Sequence, residues 1–516
     1  MKTLVMALCS LAAVAMAAPA LVPAPKAMAL GEGGCTLAKS FTDAKQWTLD
    51  KQTDALKIER RAGIPAEGYE LEVTAKGVKV AASDAAGAFY AFQTVRQLAE
   101  PQADGSWKLQ AVKITDAPRY GWRGILIDDC RHFFGKETVK AYLDLMAYHK
   151  LNRMHWHLTD DQGWRLEIPG YPELVKYGSV RSSSPKHGTR PHFGQPKGWA
   201  AASDKTQYGP FYYSVADIRE IVAYAAERHI TIVPEIELPG HFQAVLAAYP
   251  EYACFPDAKN RDPLCVWGIS QNVMCLGNDK AIKFMEDVLD YVCKAFPGDV
   301  VHIGGDECPQ VRWKTCPKCQ ARIKSEGLKG VQGLQPWATS RFVKFLEQRG
   351  KRALGWDEYL LGDVPKSAIG MSWRAGGGGA GHKFLTPKEC VERGHDLVMT
   401  PRTHCYLDYG QGMKGDPYQY IGGCVTLAKA YSFDPCAGVP EALRSHILGG
   451  QGNNWSEYTW EKKDLDWKVW PRTCALAEAM WTADPKRDFN EFVGRLTPHV
   501  ERLKSMGVNS APVKSK

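Results

Sequence analysis

The sequence predicts an α/β chain: a (β/α)8 TIM barrel preceded by a small α/β domain. Three observations predict it. From Trp122 onward, short apolar runs of strand length alternate with stretches of helical period. Eight such runs occur, and residues able to do chemistry follow each one. Before Pro118 the pattern is different, with alternating strands beside one helical stretch.

The chain opens on a targeting segment. Lys2 gives a positive start, residues 4–17 are apolar but too short to span a bilayer, and Ala15-Met16-Ala17 is a small-residue cleavage site. Ala27-Met28-Ala29 is a second candidate site. No later run approaches the length of a membrane helix. The expectation is an exported protein of the periplasm, the cell surface or the medium. Cys9 leaves with the leader, so fourteen of the fifteen cysteines remain. An even, high count in an exported chain predicts disulfides. Cys308 and the knuckle Cys316-Pro-Lys-Cys319 form a cluster that suits a structural zinc equally well.

Residues 30–118 read as the small domain. Tyr69-Glu-Leu-Glu-Val73 alternates as a strand, 77–81 gives a second strand, and 87–98 is helical. Asp116-Ala-Pro118 marks the boundary, the barrel runs over 119–508, and 509–516 is a tail. The barrel strands are predicted at 124–128, 153–158, 231–235, 300–303, 352–355, 368–372, 397–399 and 447–449, with helices at 138–150 and 215–228 among the connections.

In such a barrel, function collects at the C-terminal strand ends. Those ends carry Asp128, Asp129 and Arg131; Asp160 and Asp161; Glu235, Glu237 and His241; Asp306 and Glu307; Trp356; Trp373; Tyr406 and Asp408; and Asn454, Trp455 and Glu457. Acids together with tryptophans suit a sugar. Pyranose C–H faces pack on aromatic rings, and hydroxyls need carboxylates and Arg as partners. Glycoside hydrolysis usually sets two carboxyls across the bond. Asp306 and Glu307 are adjacent, so their side chains leave the chain in different directions and do not straddle a bond in that way. One acid and a nucleophile from elsewhere is the reading that remains.

His302-Ile-Gly-Gly-Asp-Glu307 resembles the signature of family 20 glycoside hydrolases, the β-N-acetylhexosaminidases. The resemblance extends through Arg131-His-Phe-Phe134, His155-Trp-His-Leu-Thr-Asp-Asp-Gln-Gly-Trp164, Pro239-Gly-His241 and the tryptophan-bearing strand ends, over about residues 35–508. It implies an exo-acting enzyme that removes terminal β-linked N-acetylglucosamine or N-acetylgalactosamine with retention. The substrate's 2-acetamido oxygen is then the nucleophile, and an oxazolinium ion the intermediate. The same resemblance implies Glu307 as acid and base, Asp306 as holder of the acetamido N–H, and Tyr406 at its carbonyl. Asp160 and His241 become a buried pair behind the acid. Arg131, Asp408 and Glu457 bind the sugar hydroxyls, and Trp356, Trp373 and Trp455 enclose the ring. No cofactor is required. Glu237 departs from the family pattern, which often has Asp there.

Other readings fit parts of the sequence. A disaccharide-releasing (lacto-N-biosidase-like) or sulfated-hexosamine hydrolase could use the same scaffold, with the loops 182–210 and 375–381 shaping subsites. A metal-dependent barrel hydrolase could use His155-Trp-His157 with His241 and His302, but leaves Gly304-Gly305 and the tryptophans without a role. A non-catalytic sugar-binding protein would be expected to lack one of the acids. The net charge of +8 is scattered among acids, with no basic stripe, so nucleic acid is not an expected partner.

Overall fold

The computed structural model describes residues 19–185, 203–204, 206–257, 261–374, 384–413, 415–483 and 487–513. The expected leader 1–17 and the loop 375–381 lie outside the described residues, as do most of 182–210 and the end of the tail.

The small domain is a sheet with one helix on its face. Its strands run in the order Ala27–Leu37, Trp107–Asp116, Tyr69–Thr74, Gly77–Ala82, Leu56–Arg60. Along Tyr69–Thr74 the alternation buries Tyr69, Leu71 and Val73, as a strand covered on one face requires. The covering helix, Ala85–Leu98, starts at Asp84, whose carboxylate accepts the Gly87 N–H at 2.8 Å.

Eight parallel strands close the barrel in chain order: Trp122–Asp128, Arg153–His157, Thr231–Glu235, Val300–His302, Arg352–Trp356, Ile369–Ser372, Leu397–Met399 and Ile447–Asn454. We number these strands one to eight. The surrounding helices are amphipathic. Asp279–Ala295 buries Ala281, Ile282, Met285, Val288, Leu289 and Val292 on one stripe. Val215–Ala226 opens on a capping box between Ser214 and Asp217. Trp122, Leu126, Val233, Val300, Leu354, Trp356, Ile369, Met371 and Val398 fill the interior, so the barrel is packed and not a pore.

Strand eight runs five residues beyond the expected Gly449. The extension, Gly450-Gln-Gly-Asn-Asn454, has no strand-favouring residues. Packing explains the glycines. A Cβ on Gly450 would lie 2.7 Å from the Met399 carbonyl oxygen, and one on Gly452 would lie 2.8 Å from Leu476.

The small domain sits against the N-terminal ends of strands one and two, opposite the strand ends that carry the acids. Arg123 pairs with Glu67 at 2.7 Å. Deeper in the junction, Asp116 accepts from Lys150 Nζ at 2.8 Å, Tyr69 Oη at 2.7 Å and Trp481 Nε1 at 2.9 Å. Among the described residues no two cysteine sulfurs stand at disulfide-bonding distance, and all fourteen cysteines are free thiols.

Candidate active site

After strand four the chain must turn sharply to aim two acids at the barrel mouth. Gly304 and Gly305 adopt left-handed φ values of 61° and 97°. A Cβ on Gly304 would collide with the Glu237 carboxyl, and one on Gly305 would lie 2.6 Å from Tyr359 Cβ, so only glycine fits. Glu307 itself is held at φ 45°, and His241, across from it, at φ 47°. Such backbone costs a non-glycine residue about 1–3 kcal/mol and clusters at functional sites.

The His241 imidazole joins the acids. Its Nε2 lies 3.6 Å from Asp306 and 3.9 Å from Glu307, and its Nδ1 lies 3.1 Å from Asp161 and 3.3 Å from Asp160. Burial opposes its charge, but the Asp160 and Asp306 carboxylates outweigh burial and hold His241 well above the usual imidazole range. Burial, reinforced by the Asp306 carboxylate, pushes the Glu307 carboxyl up to about 7, a value that suits a general acid. Glu237 is buried beside Asp306, and burial with that negative neighbour holds it well above the carboxylate range.

Arg131 and Asp160 form the next layer. Arg131 pairs with Asp160 at 2.8 Å and Asp128 at 3.0 Å, donates from Nε to Gln162 Oε1 at 3.0 Å, and lies 5.2 Å from the centre of the Trp455 ring. Burial would raise the Asp160 pKa, but Arg131 and His241 hold it well below the usual range. Under this layer the Glu235 carboxylate lies 2.9 Å from His155 Nε2 and 3.0 Å from His302 Nδ1, and accepts from Trp356 Nε1 at 2.7 Å. The pair His155 and His157 thus faces a buried carboxylate inside the barrel. Burial lowers His155 to about 4, whereas Glu235 carries His157 up to about 10 against burial.

Aromatic walls complete the pocket. Trp373 stacks on Tyr406 with ring centres 6.1 Å apart and 17° between planes, and Trp356 lies 5.5 Å from Trp455. Asp408 is buried beside Glu457. Burial and that neighbour raise Asp408 to about 8, and its Oδ1 has no partner among the described residues. A buried acid with a free oxygen suits a ligand hydroxyl.

The structure thus brings Asp306, Glu307, Asp160, His241, Tyr406, Arg131, Trp356, Trp373, Asp408, Trp455 and Glu457 to one barrel mouth. His241 lies 3.3 Å from Asp160 and is also 3.1 Å from Asp161, which accepts the backbone N–H groups of Gln243 and Ser270 at 3.0 and 2.8 Å. The residues Glu358 and Arg374 escaped the sequence reading. They form an ion pair whose carboxylate accepts Trp373 Nε1 at 3.1 Å, and both act electrostatically on Glu307. Their signal was position, immediately after the two strand-end tryptophans. Finally, the cysteine set is corrected. Cys308 packs against Gly240 beside His241, away from Cys316 and Cys319. The partners of those two are Cys254 and Cys275, which lie too far away in sequence to be read as one cluster.

The chain is similar to known proteins over both of its parts. Residues 120–484 match the model of the glycosyl hydrolase family 20 catalytic domain, and residues 34–117 that of its domain 2. A beta-hexosaminidase of Porphyromonas gingivalis is 40% identical over 86% of this chain, which spans only 54% of that protein. A beta-hexosaminidase of Akkermansia muciniphila is 33% identical, covering 89% of this chain and 88% of its own length. The structure of an exo beta-N-acetylglucosaminidase from Vibrio harveyi in complex with N-acetylglucosamine superposes with a TM-score of 0.80 at 28% identity, over 95% of this chain and 78% of that one.

Proposed function

Since the chain belongs to glycosyl hydrolase family 20, we propose that it removes terminal β-linked N-acetylhexosamine from glycans by substrate-assisted, retaining hydrolysis. The observation that carries this reading is the pairing of two adjacent acids with one imidazole, beside which the Glu307 carboxyl is raised to about 7.

Glu307 donates its proton to the glycosidic oxygen as the C1–O bond breaks. The 2-acetamido carbonyl oxygen attacks C1 from the opposite face and forms the oxazolinium ring. Asp306 accepts the acetamido N–H and balances the positive charge, and Tyr406 donates to the acetamido oxygen. Glu307, now a carboxylate, takes a proton from water as that water attacks C1 and reopens the ring. Intramolecular attack of this kind is worth roughly 7–11 kcal/mol. Arg131 and Glu457 bind O3 and O4, Asp408 binds O6, and the tryptophans cover the ring and acetamide methyl. N-acetylglucosamine and N-acetylgalactosamine differ at O4, where Arg131 and Glu457 share the contact, so the choice between them is made there. The reaction requires no cofactor. The leader motif further assigns the enzyme outside the cytoplasm.

The test compares a chromogenic β-N-acetylglucosaminide with the matching β-glucoside, each with and without an N-acetylglucosamine-thiazoline. Cleavage of the first alone, blocked by the thiazoline, is expected. Cleavage of both, or no inhibition, removes the acetamide from the mechanism. Cleavage of neither shifts the reading to disaccharide-releasing or sulfated substrates.

A further inference from the structure

Outside the pocket, four cysteines converge. Cys254 lies in the loop after strand three, Cys275 just before the helix Asp279–Ala295, and Cys316 and Cys319 flank Pro317 at the start of the helix Pro317–Ser325. Three Sγ–Sγ separations, Cys254–Cys319, Cys275–Cys316 and Cys275–Cys319, are each 3.7 Å. All four sulfurs lie within 4.8 Å of one another, and three of the four residues are buried. A disulfide needs about 2.05 Å between sulfurs. A tetrahedral zinc with bonds of about 2.3 Å places its sulfurs roughly 3.8 Å apart.

The backbone is shaped around the cluster. Gly277 hydrogen-bonds through its N–H toward Cys275 and Cys319. A Cβ on Gly277 would lie 2.1 Å from the Lys318 carbonyl carbon, so the two ligand-bearing segments touch through a position that only glycine can occupy. Trp313, fully buried, donates from Nε1 to the Met274 carbonyl at 2.9 Å and ties the same segments beside the sulfurs. Soft thiolates in tetrahedral array select zinc over harder divalent ions.

We propose that Cys254, Cys275, Cys316 and Cys319 bind one structural zinc ion. Binding releases the four thiol protons and leaves a tetrathiolate whose charge is met in part by the Gly277 amide. The ion clamps the loops after strands three and four to each other. The first carries His241 and the second Glu307, nine residues before Cys316. An exported chain gains a further advantage, because metal-bound thiolates are held back from random oxidation.

The test uses the full-length, tag-free protein, purified without chelator. Elemental analysis is expected to show one zinc per chain that survives dialysis. Replacement by cobalt is expected to give the intense visible bands of tetrahedral thiolate coordination. Cys316→Ser should lose both signals. Should that variant fail to fold, denaturation of the wild type decides the matter. The four cysteines should be alkylated as free thiols, with zinc released in step. Zinc removal is expected to lower Tm by about 5 °C or more. Two disulfides among these four residues, metal-free thiols after zinc loading, or iron at the same stoichiometry would each overturn the proposal.

Discussion

At the residue scale, the acid role proposed for Glu307 has a measurable signature in pH. Glu307 is raised to about 7 by burial and by Asp306. It must carry a proton for the first step, so kcat/KM should fall as pH rises through about 7. A pH profile flat from 5 to 8 would contradict its role as acid. Glu307→Gln is expected to reduce kcat by roughly 10²–10⁴-fold on substrates with poor leaving groups. Substrates that leave without protonation should be much less affected, and a Brønsted series over leaving-group pKa measures the difference. Asp306→Asn should slow the chemical step by about 10²–10³-fold, the cost of losing one preorganised electrostatic partner. Binding of a sugar without the acetamido group should be little changed, as direct calorimetry would show.

At the element scale, the contacts of residues 20–37 bear on where processing can occur. Residues 20–24 are fastened to the molecule, not draped over it. Val22 exchanges hydrogen bonds with the Gln97 side chain at 2.8 Å each way, and Arg495 donates to the Leu21 carbonyl at 2.6 Å. Leu21 and Val22 are both buried. Ala27–Leu37 then pairs along Trp107–Asp116. Cleavage after Ala29 would strip these contacts and the first three residues of the strand, whereas cleavage after Ala17 spares them. N-terminal sequencing of the exported protein is expected to begin at Ala18. A mature chain beginning at Leu30 would show that these contacts are dispensable.

At the scale of the whole molecule, the small domain and the barrel share one buried polar junction around Asp116. Asp116→Ala would leave Lys150, 2% exposed, without its carboxylate. Removing one partner of a buried pair costs about 3–5 kcal/mol, and denaturant unfolding should show that loss for both domains together. Stability should also depend on pH. Asp408 rises from 3.8 to about 8 on folding and Glu307 from 4.5 to about 7. For such acids the folded state holds protons more tightly, so stability declines as pH climbs from the ordinary value to the raised one. His157 rises from 6.5 to about 10, and its contribution is complete below 6.5 and lost as pH rises toward 10. All three act in the same direction between pH 6.5 and 7, and Asp408 and His157 continue to pH 8, so Tm should fall across that interval. Thermal scans at fixed ionic strength check the sign.

Periodicity made the eight barrel strands legible, because a buried parallel strand needs an apolar run and a barrel needs its helices between runs. The same logic placed the acids and tryptophans at one end, since strand ends in a parallel barrel share a face. What periodicity could not show was anything set by proximity across the chain. The glycines of strand eight answer to Met399 and Leu476 and not to strand propensity. Ala27-Met28-Ala29 has the look of a cleavage motif, yet its partner strand lies at residues 113–115. Asp161 and Asp160 are equivalent in sequence, and only the side-chain directions give the shorter His241 contact to Asp161. Cys308 is close to Cys316 in sequence, but folding takes it to Gly240 and brings Cys254 and Cys275 to the knuckle instead. Sequence determined which elements form and which end carries the chemistry, because both follow from local pattern. Tertiary structure alone decided which charges meet and which sulfurs cluster, because those distances are set by the closure of the barrel.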